Sequence, residues 1–464
     1  MKRNKILADH FSHLSSKELT VKNGFDCGCG RHHGMHMKYL DIGKGAADKV
    51  PEAVLALGCK KPMVLCDKNT YEALGRKVST LLSEAGIEYY LFIIPCPEGD
   101  KLEPNEYTVG SAVLNFDQSC DLVIAVGSGV INDTARVLST TTKVPQLTVG
   151  TAPSMDGYAS ASSSMVVNNV KQTLPLKAPE GLILDTDVLS EAPMKMLCAG
   201  LGDMLGKYTA LCEWKLAALF RDENYCEEIA SLMENSLCKV TENAKGLKAR
   251  DQGAVEAVTE GLVNSGIAMA FLGNSRPASG QEHYFSHCWE MFALDRGKTY
   301  ELHGLQVGLG TLYTVTILDK LKDIKPSMDK VMGSASSFDE NKWENEIKRV
   351  FGNTAGEILA LEDRLKQNDA EGRIRRAASI VSRWDEAVKI ISESIPSPQC
   401  IYDMMKDAGI PTRPEDIGVS KQDVLDAFVY SRNIRDKYLL SSMVWDIGYM
   451  DEMREHLEKA LDSY

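Results

Sequence analysis

The sequence predicts a parallel α/β domain over residues 1–190 followed by an all-helical domain over 191–464. Three observations carry this. Short apolar runs alternate with helical stretches through the first 190 residues, the pattern of strands and crossover helices in an open parallel sheet. One run, Leu122 to Val126, ends in Gly127-Ser128-Gly129, a tight turn between strand and helix. Beyond about residue 190 the apolar residues fall at helical spacing with almost no strand signal. A chain of 464 residues can bury two such cores.

The elements follow in order. Lys61 to Cys66 reads as a strand, and Asp67 to Thr70 leads into a helix from Tyr71 to Ala85. Ile87 to Pro95 is a second strand and Glu106 to Asn115 a helix. Leu122 to Val126 is unbroken in its apolarity, as a parallel strand buried on both faces requires. Asn132 or Asp133 is expected to cap or open the helix after the glycine turn. Pro145 to Val149 and Leu182 to Asp185 complete the strands. Helices are expected at 208–220, 226–246, 254–272, 281–294 and 372–394. The stretch 316–368, rich in lysine and glutamate, reads as solvated helices or an insertion, with Met332 to Ser337 a flexible linker.

Composition narrows the function. A net charge of −13 argues against a nucleic-acid partner. No apolar run approaches a membrane span, and the basic start, Met1 to Lys5, lacks the apolar centre of a signal peptide. Twelve cysteines without a disulfide-framework spacing read as reduced thiols of a cytoplasmic protein.

Chemistry concentrates in three of the nine histidines, His283, His287 and His303. On a helix, positions four apart share a face, so His283 and His287 can point into one site. With Asp203, flanked by Gly202 and Gly206, they would make a three-ligand site for a divalent metal, open to substrate and suited to polarising a carbonyl or alcohol oxygen. Chance also produces such pairs, so a second signal matters. The turn Gly127-Ser128-Gly129 supplies it, because a glycine turn at a helix N-terminus brings backbone N–H groups close to a phosphate. Asn132 stands where the dinucleotide fingerprint has its third glycine, and no Gly-Lys-Ser/Thr follows. The hydroxyl-rich segment Thr148 to Ser164 is either a cofactor-contacting loop or a plain polar one. In Cys27-Gly-Cys29-Gly-Arg-His32-His33, Cys-x-Cys is tighter than the usual structural zinc spacing and no second pair follows nearby. It reads as a turn between short strands, outside the active site.

Five motifs in this order carry a resemblance: Gly127 to Asp133, Thr151 to Tyr158, Ala199 to Lys207, Ser275 to His283 and His303 to Thr311, with Ile434 to Tyr438 similar to a closing helix. The chain resembles the sn-glycerol-1-phosphate dehydrogenase family, bacterial branch, within the iron-containing alcohol dehydrogenase and dehydroquinate synthase superfamily. Ser-Met-Asp-Gly-Tyr and Arg-Pro-Ala-Ser-Gly-x-Glu-His are its specific strings. The resemblance implies a nucleotide-binding α/β domain and a helical domain, with the active site in the cleft. It assigns Asp203, His283 and His303 as ligands of one divalent metal (zinc or nickel, with iron an option). It makes His287 and Asp156 the catalytic, substrate-contacting residues, revising the first histidine pairing. Gly127, Ser128, Gly129, Val130, Ile131, Thr151, Ala152, Pro153, Ser154 and Ser160 match dinucleotide contacts.

The expected reaction interconverts dihydroxyacetone phosphate and sn-glycerol 1-phosphate with NAD(P)H, and the resemblance also implies a homodimer and supply of phospholipid headgroups. Asp67, closing its strand, can bond a ribose 2′-hydroxyl and repel a 2′-phosphate, which leans to NAD over NADP. His287, with a pKa near neutrality, is expected to relay the proton. Arg276 and Lys207 are candidates for the substrate phosphate, or structural ion pairs. The chain departs from the family in a longer 283–303 segment, an expanded 320–400 region, and Glu213 where an aspartate is usual. Its rivals are a polyol dehydrogenase acting on an unphosphorylated substrate and a silent nucleotide-binding protein.

Overall fold

The computed structural model describes residues 10–20, 24–96, 101–168 and 170–464; the basic start, Met1 to Lys5, lies outside the described residues. The chain forms two compact units, one of Met1–Met204 with Cys226–Ser275, the other of Leu205–Tyr225 with Arg276–Tyr464. Strand content ends at Asp185, yet the first unit also takes in the helices Glu227–Asn243 and Gln252–Leu272.

In the first unit, six strands form one sheet: β1 (Tyr39–Gly43), β2 (Pro62–Asp67), β3 (Tyr90–Ile94), β4 (Leu122–Gly127), β5 (Gln146–Gly150) and β6 (Gly181–Asp185). All pairings are parallel, in the order β1-β6-β5-β4-β2-β3. Strands β4, β5 and β6 are buried at every residue, which explains the unbroken apolar runs Leu122 to Val126 in β4 and Leu182 to Leu184 in β6, whereas β5 buries Gln146 and Thr148 through hydrogen bonds and the edge strands β1 and β3 are only partly covered. The pleat sends alternate residues to opposite cores. Val64, Ile124 and Val149 pack with Val54, Leu74 and Leu82 on one face, and Met63, Leu65, Val123 and Ala125 pack with Ile131 and Leu138 on the other. Each of these side chains other than Ala125 contributes about 1.5–3 kcal/mol through burial. The chain runs from β2 out to β3, then returns to lay β4 on the other side of β2. That reversal makes the carboxyl ends of β2 and β4 the switch point, where open sheets of this kind bind ligands.

Three strands escape the sequence reading. β1 is a half-covered edge strand, and an antiparallel hairpin, Ser162–Val167 with Val170–Pro175, begins in the last three residues of the segment read as a hydroxyl-rich loop. Its serines hide the alternation, although Ser163, Met165 and Val166 are buried. The expectation that no apolar run approaches a membrane span also needs correcting. Gln252–Leu272 has 21 residues and is apolar enough to cross a membrane, but 78% of its apolar window is buried, as in a core helix.

The second unit is helical. The expected linker at Met332 to Ser337 lies mostly in a helix, Met328–Ser336, capped by Ser327 and burying Val331 and Ala335. The expected 372–394 helix is two, Ala370–Ser382 and Trp384–Ser394, broken at Arg383. Ile434 to Tyr438 is not a closing helix but a strap between the turn Ser431–Asn433 and the helix Leu440–Asp446. It is fastened by Arg276 Nη1 donating to the Tyr438 carbonyl (2.8 Å) and Lys437 Nζ donating to the Ser279 carbonyl (2.5 Å).

Candidate active-site residues in the two units

The helix after β4 opens at Gly129, with Ser128 at the capping position. Asn132 and Asp133 therefore lie inside its first turns and cap nothing. Asn132 is buried, and its Oδ1 accepts from Gln146 Nε2 (3.1 Å) and Thr148 Oγ1 (2.9 Å). Asp133 pairs with buried Arg136 (2.9 Å), whose guanidinium also donates to the carbonyls of Gly157 (2.9 Å), Tyr158 (3.2 Å) and Ser162 (2.6 Å). That ion pair clamps the Ser-Met-Asp-Gly-Tyr loop.

Gly127 is required by close approach, since a Cβ there would lie 2.5 Å from Ile131 Cβ. A Cβ at Gly129 would meet nothing nearer than Met155 Cγ at 3.7 Å. The turn is tied to the segment Thr151 to Ser154 by Thr151 N–H donating to the Gly127 carbonyl (3.3 Å) and by the Ser128–Ser154 hydroxyl pair (2.5 Å). Tyr158 Oη donates to the Ala152 carbonyl (2.5 Å) and lies 3.3 Å from Ser128 Oγ. Gly127 to Ile131 and Thr151 to Ser154 thus gather at the carboxyl ends of neighbouring β4 and β5. Ser160 lies farther along, accepting from Ser162 N–H (3.1 Å). Asp67 ends β2 beside them, and its Oδ1 caps the next helix by accepting from Thr70 N–H (2.7 Å).

Asp156 and Asp203 meet within the first unit. Asp156 N–H donates to Asp203 Oδ2 (3.1 Å), and Ser265 Oγ donates to Asp156 Oδ2 (2.8 Å). Asp203 is fully buried. The loop and the helix Met194–Leu205 approach so closely that a Cβ at Gly200 would lie 1.9 Å from the Pro153 carbonyl oxygen.

The three histidines meet within the second unit, His283 and His287 on the helix Gln281–Asp295 and His303 at the start of the helix His303–Leu321. Ring centroids of His283 and His303 are 5.2 Å apart, and those of His287 and His303 are 5.9 Å apart. His283 Nδ1 donates to Glu282 Oε1 (2.8 Å), which places its lone pair on Nε2. Ser286 Oγ donates to Gln306 Oε1 (2.7 Å), so it accepts from His303 Nδ1 (3.0 Å), and the same tautomer results. Carboxylate and hydroxyl partners of this kind fix metal-binding imidazoles. Burial raises the Glu282 carboxyl, but its bonds from His283, Thr209 Oγ1 (2.6 Å) and Gly280 N–H (2.5 Å) outweigh this and hold it below its ordinary value. Burial, then Glu282, pushes buried Glu213 upward; it accepts from Gln281 N–H (2.8 Å) and Leu440 N–H (3.1 Å).

His287 corrects an expectation. Burial first, then the Arg435 guanidinium, pushes it down to about 3, so the imidazole is neutral at physiological pH and not poised near neutrality. Arg276 forms a two-pronged pair with Glu223, and buried Lys207 donates to the Ala278 carbonyl (3.0 Å). Sequence reasoning missed Glu282, Ser286, Gln306 and Arg435. Glu282, Gln306 and Arg435 lie within the motifs that carry the resemblance, Glu282 in one of its specific strings, whereas Ser286 lies in none.

A family model for iron-containing alcohol dehydrogenases matches residues 41–193. The glycerol-1-phosphate dehydrogenase [NAD(P)+] of Geobacillus stearothermophilus is 29% identical over 91% of this chain and 94% of its own. That of Halalkalibacterium halodurans is 35% identical over 65% of this chain and 75% of its own. Among solved structures, a probable glycerol dehydrogenase from Sinorhizobium meliloti shares the fold with a TM-score of 0.61 at 16% identity, covering 92% of this chain and 98% of its own.

Proposed function

Because the chain belongs to the glycerol-1-phosphate dehydrogenase family of iron-containing alcohol dehydrogenases, we propose that it interconverts dihydroxyacetone phosphate and sn-glycerol 1-phosphate with NAD(P)H. The observation that carries the reading is the orienting set around the histidines. Glu282 and Ser286 fix His283 and His303 in the tautomer that ligates through Nε2. We assign Asp203, His283 and His303 as the metal ligands, a donor set that suits zinc, nickel or iron(II). A divalent ion held there would supply Lewis-acid polarisation of the substrate carbonyl, and NAD(P)H held at the glycine turn would supply the hydride.

The chain's own residues do the rest. Asp156, anchored by Ser265, orients a substrate hydroxyl. His287 is neutral, so it passes a proton from water to the nascent alcohol and does not hold one in reserve. Arg276 and Lys207 are engaged with Glu223, Tyr438 and Ala278, so they shape the Arg276–Gly280 loop. Arg435, whose charge acts on His287, is the guanidinium assigned to the phosphate. Gly127 to Ile131, Thr151 to Ser154 and Ser160 hold the dinucleotide at the switch point. Asp67 favours NAD over NADP with the oxygen its helix cap does not use. The same reading carries a cytoplasmic homodimer supplying phospholipid headgroups.

The test follows NADH oxidation driven by dihydroxyacetone phosphate while metal is counted in the same samples. Asp203→Ala and His283→Ala are expected to lose the activity-supporting metal and turnover together. Full turnover with no metal bound overturns the assignment.

A further inference from the structure

The Cys27–His33 segment, set aside on sequence spacing, gains a partner in the fold. Within the first unit Cys27, Cys29, His33 and Cys226 bring one ligand atom each to within 4.8 Å of one another. Cys27 Sγ lies 3.5 Å from Cys226 Sγ, and His33 Nε2 lies 3.1 Å from Cys29 Sγ and 3.5 Å from Cys226 Sγ. A tetrahedral zinc ion with usual bond lengths has S···S edges of about 3.8 Å and S···N edges of about 3.6 Å. The Cys27–Cys226 separation of 3.5 Å fits such an edge and is far beyond the disulfide bond length of about 2.05 Å.

The imidazole is set for the role. His33 Nδ1 donates to the Phe271 carbonyl (2.8 Å), which accepts only, so the lone pair sits on Nε2 and faces the sulfurs. The backbone brings both thiols of Cys-x-Cys to one point. Strands Phe25–Asp26 and His32–His33 pair, Cys27 N–H donates to the Arg31 carbonyl (3.0 Å), and Gly30 turns the chain at φ +84°. Phe11, Phe25 and Phe271 pack around His33, which is 1% exposed, while Cys226 is 0% exposed. His32 is not a member, since its ring is exposed and bonds Asp26 (2.9 Å).

We propose that Cys27, Cys29, His33 and Cys226 form a closed Cys3His site for a structural zinc ion. Four protein ligands leave no open position, so the site does no chemistry on substrate. It staples the hairpin to the start of the helix Glu227–Asn243, joining segments some 200 residues apart. Three thiolates bind zinc well in a reducing compartment, and this site is chemically distinct from the carboxylate and imidazole donors assigned to catalysis.

The test begins with wild-type protein dialysed against EDTA, which is expected to strip the open site and leave one zinc per chain. A thiol-specific mercurial is expected to release that zinc and lower the Tm by several degrees. Cobalt in its place is expected to show sulfur-to-cobalt charge-transfer absorption, which donors lacking sulfur cannot give. Asp203→Ala should keep this metal and Cys226→Ser should lose it; half-buried Cys29→Ser is the second variant if Cys226→Ser does not fold. No retained zinc, a cobalt spectrum without sulfur bands, a Cys27–Cys226 disulfide in freshly reduced protein, or an iron–sulfur chromophore would each overturn the proposal.

Discussion

Alanine at Gly127 and alanine at Gly129 load the same turn in opposite ways. At Gly127 the new Cβ would lie 2.5 Å from Ile131 Cβ and 2.7 Å from its Cγ1. Ile131 is 2% exposed and branched at Cβ, so that carbon cannot swing aside without moving the helix. Overpacking of this kind costs about 1–3 kcal/mol. With about 2–4 °C of Tm per kcal/mol for a unit of this size, Gly127→Ala should melt measurably lower. At Gly129 the nearest atom is the flexible Met155 side chain at 3.7 Å, ordinary contact. The fold loses nothing, and alanine in a helix is favoured over glycine by up to about 1 kcal/mol. The methyl instead stands where a phosphate must approach backbone N–H groups. Gly129→Ala should therefore keep or raise the Tm while weakening NADH binding by about tenfold or more, about 1.4 kcal/mol. Thermal melting and NADH fluorescence titration read the two effects separately. An unchanged NADH Kd in Gly129→Ala would refute the assignment of this turn to the cofactor.

Gly200→Ala would set a Cβ 1.9 Å from the Pro153 carbonyl oxygen, backbone against backbone. The Asp156 loop must retreat by about 1 Å or more, and kcat/KM should fall about 100-fold even in the folded fraction, with a lower Tm. Glu282→Gln removes the carboxylate that fixes His283, so metal affinity should fall about 10–100-fold by competitive chelation with the fold intact; unchanged affinity would make Glu282 structural only. Arg435→Leu should raise KM for dihydroxyacetone phosphate about tenfold or more and leave NADH binding unchanged, whereas an unmoved KM would remove Arg435 from the phosphate site.

The buried parallel strands were legible because burial on both faces demands unbroken apolar runs, as in β4 and in Leu182 to Leu184 of β6. The hairpin Ser162–Val167 with Val170–Pro175 was not, because its serines satisfy their polar groups inside the fold and leave no apolar alternation. Met328–Ser336 read as a linker because Gly333 and its serines are poor helix formers, yet Ser327 caps it and two buried side chains hold it. At the site, the short-range pattern exposed His283, His287 and Asp203. Glu282 could be noticed only as a neighbour, and Arg435 lay in a segment read as a helix. The neutrality of His287 follows from burial and a distant guanidinium, which no spacing reports. Cys226 is 193 residues from His33, so local spacing had no means of completing that cluster.

The most direct measurement is NADH oxidation by metal-reconstituted protein with dihydroxyacetone phosphate and with dihydroxyacetone, and the stereochemistry of the product. The account predicts a strong preference for the phosphate and formation of sn-glycerol 1-phosphate. Preference for dihydroxyacetone, or formation of the opposite enantiomer, would contradict it.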